Sequence, residues 1–185
     1  MIYLCRHGQT AWTLSGQHTS TTDLPLTPTG KDQAATMLEP LSNIKKAFSS
    51  PLIRATQTAT LAAFSPEVDA DLTEWNYGDY EGLTSQQIKA KNPNWNLFTD
   101  GAPNGESPEQ VTARADRFLK RLSRSEPLAI FSHGHFSRVL AARYLGLDIS
   151  KAQILFLSVA SISILGQEHS RPVIRLWNST AHLNT

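Results

Sequence analysis

Two apolar runs in this chain end in histidine followed by glycine: Leu4-Cys5-Arg6-His7-Gly8 and Phe131-Ser132-His133-Gly134. A third segment, Ser49-Ser50-Pro51-Leu52-Ile53-Arg54-Ala55, brings in an arginine where another short apolar run turns polar. Guanidinium forks match phosphate oxygens bidentately and stay charged at any relevant pH. A neutral imidazole beside them is a competent nucleophile toward phosphorus. Arg6, Arg54 and the second histidine, His133, would stabilise charge spread over the equatorial oxygens during in-line transfer to His7. The departing alcohol needs a proton. Glu74, in Leu72-Thr73-Glu74-Trp75-Asn76-Tyr77-Gly78-Asp79-Tyr80-Glu81-Gly82, is the candidate donor, with Trp75 and Tyr77 partly withdrawing it from water. His133 and His135 also form a His-x-His pair, but no third ligand lies nearby in sequence, so no metal or cofactor is expected.

These groups can meet only if the two His-Gly segments close neighbouring strands, because open α/β sheets bind ligands beyond the carboxyl ends of their strands. The chain supplies such strands. Ile2 to Cys5, Ala47 to Ser49 and Leu128 to Phe131 are short apolar, β-prone runs, and two late strands are predicted near Ser158–Leu165 and Val173–Trp177. Between them lie helices. Thr27-Pro28 opens one running to about Leu41, Ser50-Pro51 another carrying Leu52, Thr56, Ala59 and Ala63, and Thr84 to Lys91 a third. Ser107-Pro108-Glu109-Gln110 caps a helix with Val111, Ala115, Phe118, Leu119 and Leu122 on one face. Its arginines, Arg114, Arg117, Arg121 and Arg124, are expected on a solvated face. A last helix spans about Phe136 to Leu145.

Strands alternating with helices predict an α/β sandwich with a mostly parallel sheet. Residues 1–185 read as one domain, with Gln9 to Thr27 a long loop and about 69–106 an irregular active-site segment.

Lys and Arg number 17 against 16 Asp and Glu, which excludes the basic footprint of a dedicated nucleic-acid binder. Charged residues are 18% of the chain, and the net charge of +1 is too small for a disordered polyelectrolyte. The single Cys5 cannot form an internal disulfide, which points to a reducing, cytoplasmic setting, and it is expected to pack beneath the His7 loop. The opening apolar run meets Arg6 too soon for a secretory signal, and Ile154 to Leu165 is broken by serines, so no membrane association is expected. Nothing in the pattern specifies an oligomeric state.

Arg6-His7-Gly8-Gln9-Thr10, the Arg54 segment, the Glu74 segment and Ser132-His133-Gly134 together resemble the histidine phosphatase (phosphoglycerate mutase-like) superfamily, in the family's order and over nearly the whole chain. The resemblance implies a three-layer α/β/α fold and metal-free ping-pong chemistry through a phosphohistidine. By motif position it makes His7 the nucleophile, Glu74 the proton donor and later the base for water, and Arg6, Arg54 and His133 the phosphate pocket. It favours Glu74 over Glu81, which is left to fix its loop.

Ser15-Gly16-Gln17-His18-Thr19, Asp23-Leu24-Pro25-Leu26-Thr27 and Asp100-Gly101-Ala102-Pro103-Asn104-Gly105-Glu106-Ser107 look like the small phosphatase branch, similar to sugar bisphosphatases. A short stretch between Glu74 and His133, and His135 where mutases usually carry Asn, favour phosphatase over phosphoglycerate mutase. Thr13 and Ser20 depart from the usual Asn and Gly. The expected activity is hydrolysis of small phosphorylated metabolites, sugar phosphates or bisphosphates, with Thr13, Thr19, Tyr77, Glu106 and Gly134 binding substrate. The alternatives are a mutase and a non-catalytic phosphate-binding module. Trp12, Trp75 and Trp95 are open to pocket-lining or packing roles, and His18, His169 and His182 are expected at the surface.

Overall fold

Side chains that alternate across buried strands divide the apolar residues into two cores. In the computed structural model, which describes residues 1–123 and 125–184, β1 (Ile2–Arg6) sends Ile2 and Leu4 to one face and Tyr3 and Cys5 to the other. The same split runs through β2 (Lys46–Ser49), where Phe48 and Ala47 part. After the two-residue β3 (Glu67–Val68), β4 (Leu128–Ser132) parts Leu128 and Ile130 from Ala129 and Phe131. With β5 (Ile162–Glu168) and β6 (Arg171–Ser179) the sheet order is β3-β2-β4-β1-β5-β6. The first four strands are parallel; β5 and β6 continue antiparallel.

Helices cover both faces, giving the expected three layers. In chain order they are α1 (Ala11–Ser15), α2 (Pro28–Ala35), α3 (Leu38–Leu41), α4 (Ile53–Leu61), α5 (Ser85–Lys91), α6 (Leu97–Asp100), α7 (Pro108–Arg121) and α8 (Gly134–Tyr144). Met37, Leu41, Ala59 and Ala62 bring the α2–α4 region onto the Cys5 face, while α7 and α8 supply Val111, Phe118, Val139 and Leu140 to the opposite core. No helix among the described residues is long and apolar enough to cross a membrane.

Several boundaries differ from expectation for local reasons. The helix from Thr27 stops at Ala35 because Pro40 has no N–H for the carbonyl of Thr36; the chain restarts as α3. Ser50 to Leu52 stay outside α4, with Leu52 extended at its N-cap and the N–H of Ile53 donating to Asp23. Ala63 lies past its end at a φ of 64°. α8 begins at Gly134, two residues early, and β5 begins at Ile162 because Leu157 to Ser161 turn past the ends of the sheet. The short α1 and α6, and the exposed β3, fall below the length at which periodicity shows. Arg124 lies outside the described residues.

The loop after β1 is held by the side chains of Thr58 and Gln33, which accept from the amides of Gly8 and Gln9, and by close main-chain packing. A Cβ on Gly30 would come within 2.1 Å of the Gln9 carbonyl oxygen, and one on Gly8 within 2.3 Å of the Gly30 carbonyl oxygen. The first turn of α2 therefore packs directly on the backbone beside His7. Gly30→Ala is expected to lower the unfolding free energy by about 1–3 kcal/mol, as overpacking does. Urea unfolding measures this, and a loss below about 0.5 kcal/mol, the scatter of ordinary surface changes, would contradict the close contact.

Candidate active site

Parallel pairing of β1 with β4 aligns Arg6 with Ser132, so the next residue on each strand is a histidine. The His7 and His133 rings stand 5.2 Å apart, edge to face. The Nδ1 of His7 lies 2.8 Å from the carbonyl oxygen of Gly8. A carbonyl can only accept, so Nδ1 carries the hydrogen and Nε2 keeps its lone pair. Burial, reinforced by the Arg54 and Arg6 cations, holds this imidazole well below its ordinary pKa of 6.5. The result is a neutral ring with one basic nitrogen, on a cleft of about 210 Å³ also lined by Arg6, Glu74 and Gly134.

Arg6 enters that cleft from the end of β1. Its Nη1 donates to the Leu157 carbonyl, while its buried Nε has no partner among the described residues. Gly134 makes room for it, since a Cβ there would stand 3.2 Å from the Arg6 Cζ. Arg54 and His133 are both fully buried and sit against this centre rather than on the cleft lining. The Arg54 guanidinium donates to the carbonyls of Thr19, Ser20 and Thr22, and through Nε to His133 Nδ1 at 3.2 Å. His133 must then carry its hydrogen on Nε2, 2.7 Å from Ser50 Oγ.

Glu74 is fixed by backbone. Its carboxylate accepts from the amides of Trp75 at 2.8 Å, Phe136 at 2.8 Å and His135 at 3.0 Å. The last two are donors of the first turn of α8, which has no side-chain cap from His133. An imidazole with an open lone pair, a guanidinium N–H without a partner among the described residues and a carboxyl group thus meet at one cleft, residue types that can transfer phosphoryl groups.

A sequence model described as histidine phosphatase superfamily (branch 1) matches residues 2–180. This chain belongs to the histidine phosphatase superfamily. It is similar to an acid phosphatase of Mycobacterium tuberculosis, 38% identical over 98% of this chain and 93% of that one. It also resembles the sedoheptulose 1,7-bisphosphatase of Saccharomyces cerevisiae, 36% identical over 80% of this chain and 68% of that one. Among solved structures, that of the open reading frame Rv3214 from Mycobacterium tuberculosis superposes with a TM-score of 0.91 at 38% identity, covering 96% of each chain.

In this histidine phosphatase the remaining expected residues divide. Thr13, Thr19 and Gly134 line the cleft, as does Trp12, whereas Trp75 and Trp95 are buried packing residues. Thr13 Oγ1 also accepts from the Thr10 amide, closing the capping box of α1. Glu81 fixes its loop, accepting from the amides of Ser20 and Thr22 and from Ser20 Oγ at 2.6 Å. Tyr77 reaches the cleft lining but is 2% exposed, and its hydroxyl meets His135 Nδ1. His133 and His135 make separate contacts and do not converge on a metal position.

Three expectations are corrected. Glu106 lies outside the cleft: its carboxylate takes the Asn76 amide and both Nε and Nη2 of Arg114. Arg114 is buried instead of solvated, because its guanidinium also holds the carbonyls of Asp71 and Thr73. Among the described arginines of this stripe, Arg117 and Arg121 face outward, paired with Asp71 and Asp69. His18 and His182 are buried while His169 is exposed; His18 lines the cleft, which no spacing in the sequence signals. Glu106→Ala is expected to cost about 3 kcal/mol of stability by stranding the Arg114 charge. Thermal and urea unfolding check this, and a raised KM with full stability would restore Glu106 to a substrate contact.

Proposed function

We propose that this protein hydrolyses phosphomonoesters of small metabolites, sugar phosphates or bisphosphates, without a metal and through a phosphoryl group carried on His7 Nε2. The carrying observation is the His7 tautomer: Nδ1 is committed to the Gly8 carbonyl and Nε2 faces a cleft holding the unpartnered Arg6 Nε. In the first half-reaction Nε2 bonds to phosphorus as the ester P–O bond breaks, and Glu74 gives its proton to the departing oxygen. In the second, Glu74 takes a proton from water, the new O–P bond forms and the N–P bond breaks, releasing phosphate. Arg6 donates to the phosphoryl oxygens, while the buried Arg54 cation and the His133 it orients supply a favourable field behind them. The size of the cleft supports a small leaving group, and relatives named acid phosphatase and sedoheptulose 1,7-bisphosphatase support hydrolysis over mutase transfer.

Purified protein is expected to release phosphate in excess chelator, with His7→Ala losing at least about a thousandfold in kcat/KM, the scale of a lost nucleophile. Glu74→Gln should slow alkyl esters far more than aryl esters, whose better leaving groups need less protonation. Isomerised phosphoglycerate in place of free phosphate would establish the mutase instead, and tight binding without turnover a recognition module.

The pH profile gives a separate check. Attack requires neutral His7, and its pKa is held below 6.5. Activity should therefore persist as pH falls through 6.5 and be lost only further down. Removing one of the cations that depress this pKa, as in Arg54→Gln, should move the acid limb of kcat/KM upward, and an unmoved limb counts against the assignment.

A further inference from the structure

Two histidines on the cleft wall are unused by the reaction above. His18 and His135 line both the cleft and an adjoining cavity of about 480 Å³, so they stand where the two spaces meet. Their rings are stacked at 8° with centroids 5.8 Å apart. Each has one nitrogen already committed, and the commitments differ.

His18 Nδ1 lies 2.8 Å from the carbonyl oxygen of Leu83. The carbonyl accepts, so Nδ1 holds the hydrogen and Nε2 is left as an acceptor. His135 Nδ1 lies 2.5 Å from the hydroxyl of Tyr77, which is buried and has no other partner among the described residues. The phenol must donate there, so His135 carries its hydrogen on Nε2 and presents a donor. Burial pushes the Tyr77 hydroxyl well above its ordinary 10.0, so it keeps that hydrogen to give. Burial likewise lowers both imidazoles from 6.5, His135 well below, with the Arg138 cation adding to the effect there. Neither Nε2 has a hydrogen-bond partner among the described residues, and neither is sealed from solvent, so both open onto the space their rings line.

An acceptor and a donor side by side suit only some groups. Phosphate and carboxylate oxygens accept only, and an ammonium donates only; a hydroxyl does both. Arg138 lines the same two spaces, but its Nε and Nη2 are committed to the carbonyls of Ala152 and Gln153 and its guanidinium lies over the Phe98 ring. We infer that His18 and His135 form a neutral acceptor–donor pair that reads a hydroxyl group of the leaving alcohol, selecting polyhydroxylated phosphomonoesters. Tyr77 is then a positioning residue that sets the His135 tautomer. This assignment rests on the phosphatase reading and adds the chemistry by which that site chooses its substrate.

The test compares kcat/KM for glycerol phosphate and propyl phosphate, which share a carbon count and differ in hydroxyl groups. The expected ratio is about tenfold or more, the worth of one or two hydrogen bonds. His18→Phe and His135→Phe should each bring the ratio close to one. His135→Gln, whose amide restores an N–H, should recover part of it, and Tyr77→Phe should lower it by freeing the tautomer. Nitrogen-15 NMR of the unaltered protein provides a reading independent of turnover, with hydrogen on Nδ1 of His18 and on Nε2 of His135. Equal use of both esters, a ratio unmoved by the two phenylalanine substitutions, or reversed tautomers would overturn the pair. If neither ester is hydrolysed, the phosphatase reading fails, and the tautomers and their response to added glycerol phosphate still decide for or against the pair.

Discussion

The carboxylate of Glu74 joins the two halves of the site. It draws the amides of Trp75, His135 and Phe136 onto one side chain, tying the irregular segment after β3 to the first turn of α8. A helix start needs acceptors for its free N–H groups and favours negative charge. Here Glu74, distant in sequence, provides the acceptors. His133, at the N-cap position, is thereby released from capping, and its ring lies between Arg54 and Ser50 beside His7. Arg114 secures the same segment from behind through the carbonyls of Asp71 and Thr73, held in turn by Glu106. The Glu74 segment is positioned by backbone on one side and by a buried ion pair on the other.

Buried charge is the second organising constraint. A guanidinium removed from water must find acceptors, and the loop Thr19–Thr22 turns three carbonyls inward for Arg54. Glu81 keeps that loop in place by taking its outward amides, and Ser20, where glycine is usual, adds a hydroxyl contact to Glu81. The departure from the family pattern strengthens the loop that carries the cation. His7 is held neutral by its burial, and the two nearby cations, Arg54 and Arg6, add to that effect. A net charge near zero is compatible with this because the cations that matter are few and enclosed.

What could be read from residue order was whatever depended on local pattern. His-Gly after an apolar run marks a strand end, and the Arg54 segment marks a strand passing into a helix; the sheet brings these together as expected. The capping signatures at Thr27 and Ser107 also act where they stand. Contacts between distant segments left no such trace. Glu106 looks like a polar loop residue until Arg114 is folded against it, and Arg114 looks like one more charge on a solvated helix stripe. His18, Tyr77 and His135 come from three separate segments, with no periodicity to relate them. Pro40 was an available signal for the break between α2 and α3, outweighed by the capping pattern at Thr27.

The backbone contact between the His7 loop and the first turn of α2 limits how this protein can diversify. At Gly8 and Gly30 adding a side chain collides with main chain. These two positions beside His7 have almost no mutational freedom. New leaving-group preferences have to arise on the walls, where Trp12, Thr13, His18 and Phe156 can be replaced one at a time. The molecule thus separates an unchanging phosphoryl chemistry from an adjustable choice of alcohol, an arrangement suited to paralogues that share a reaction and divide its substrates.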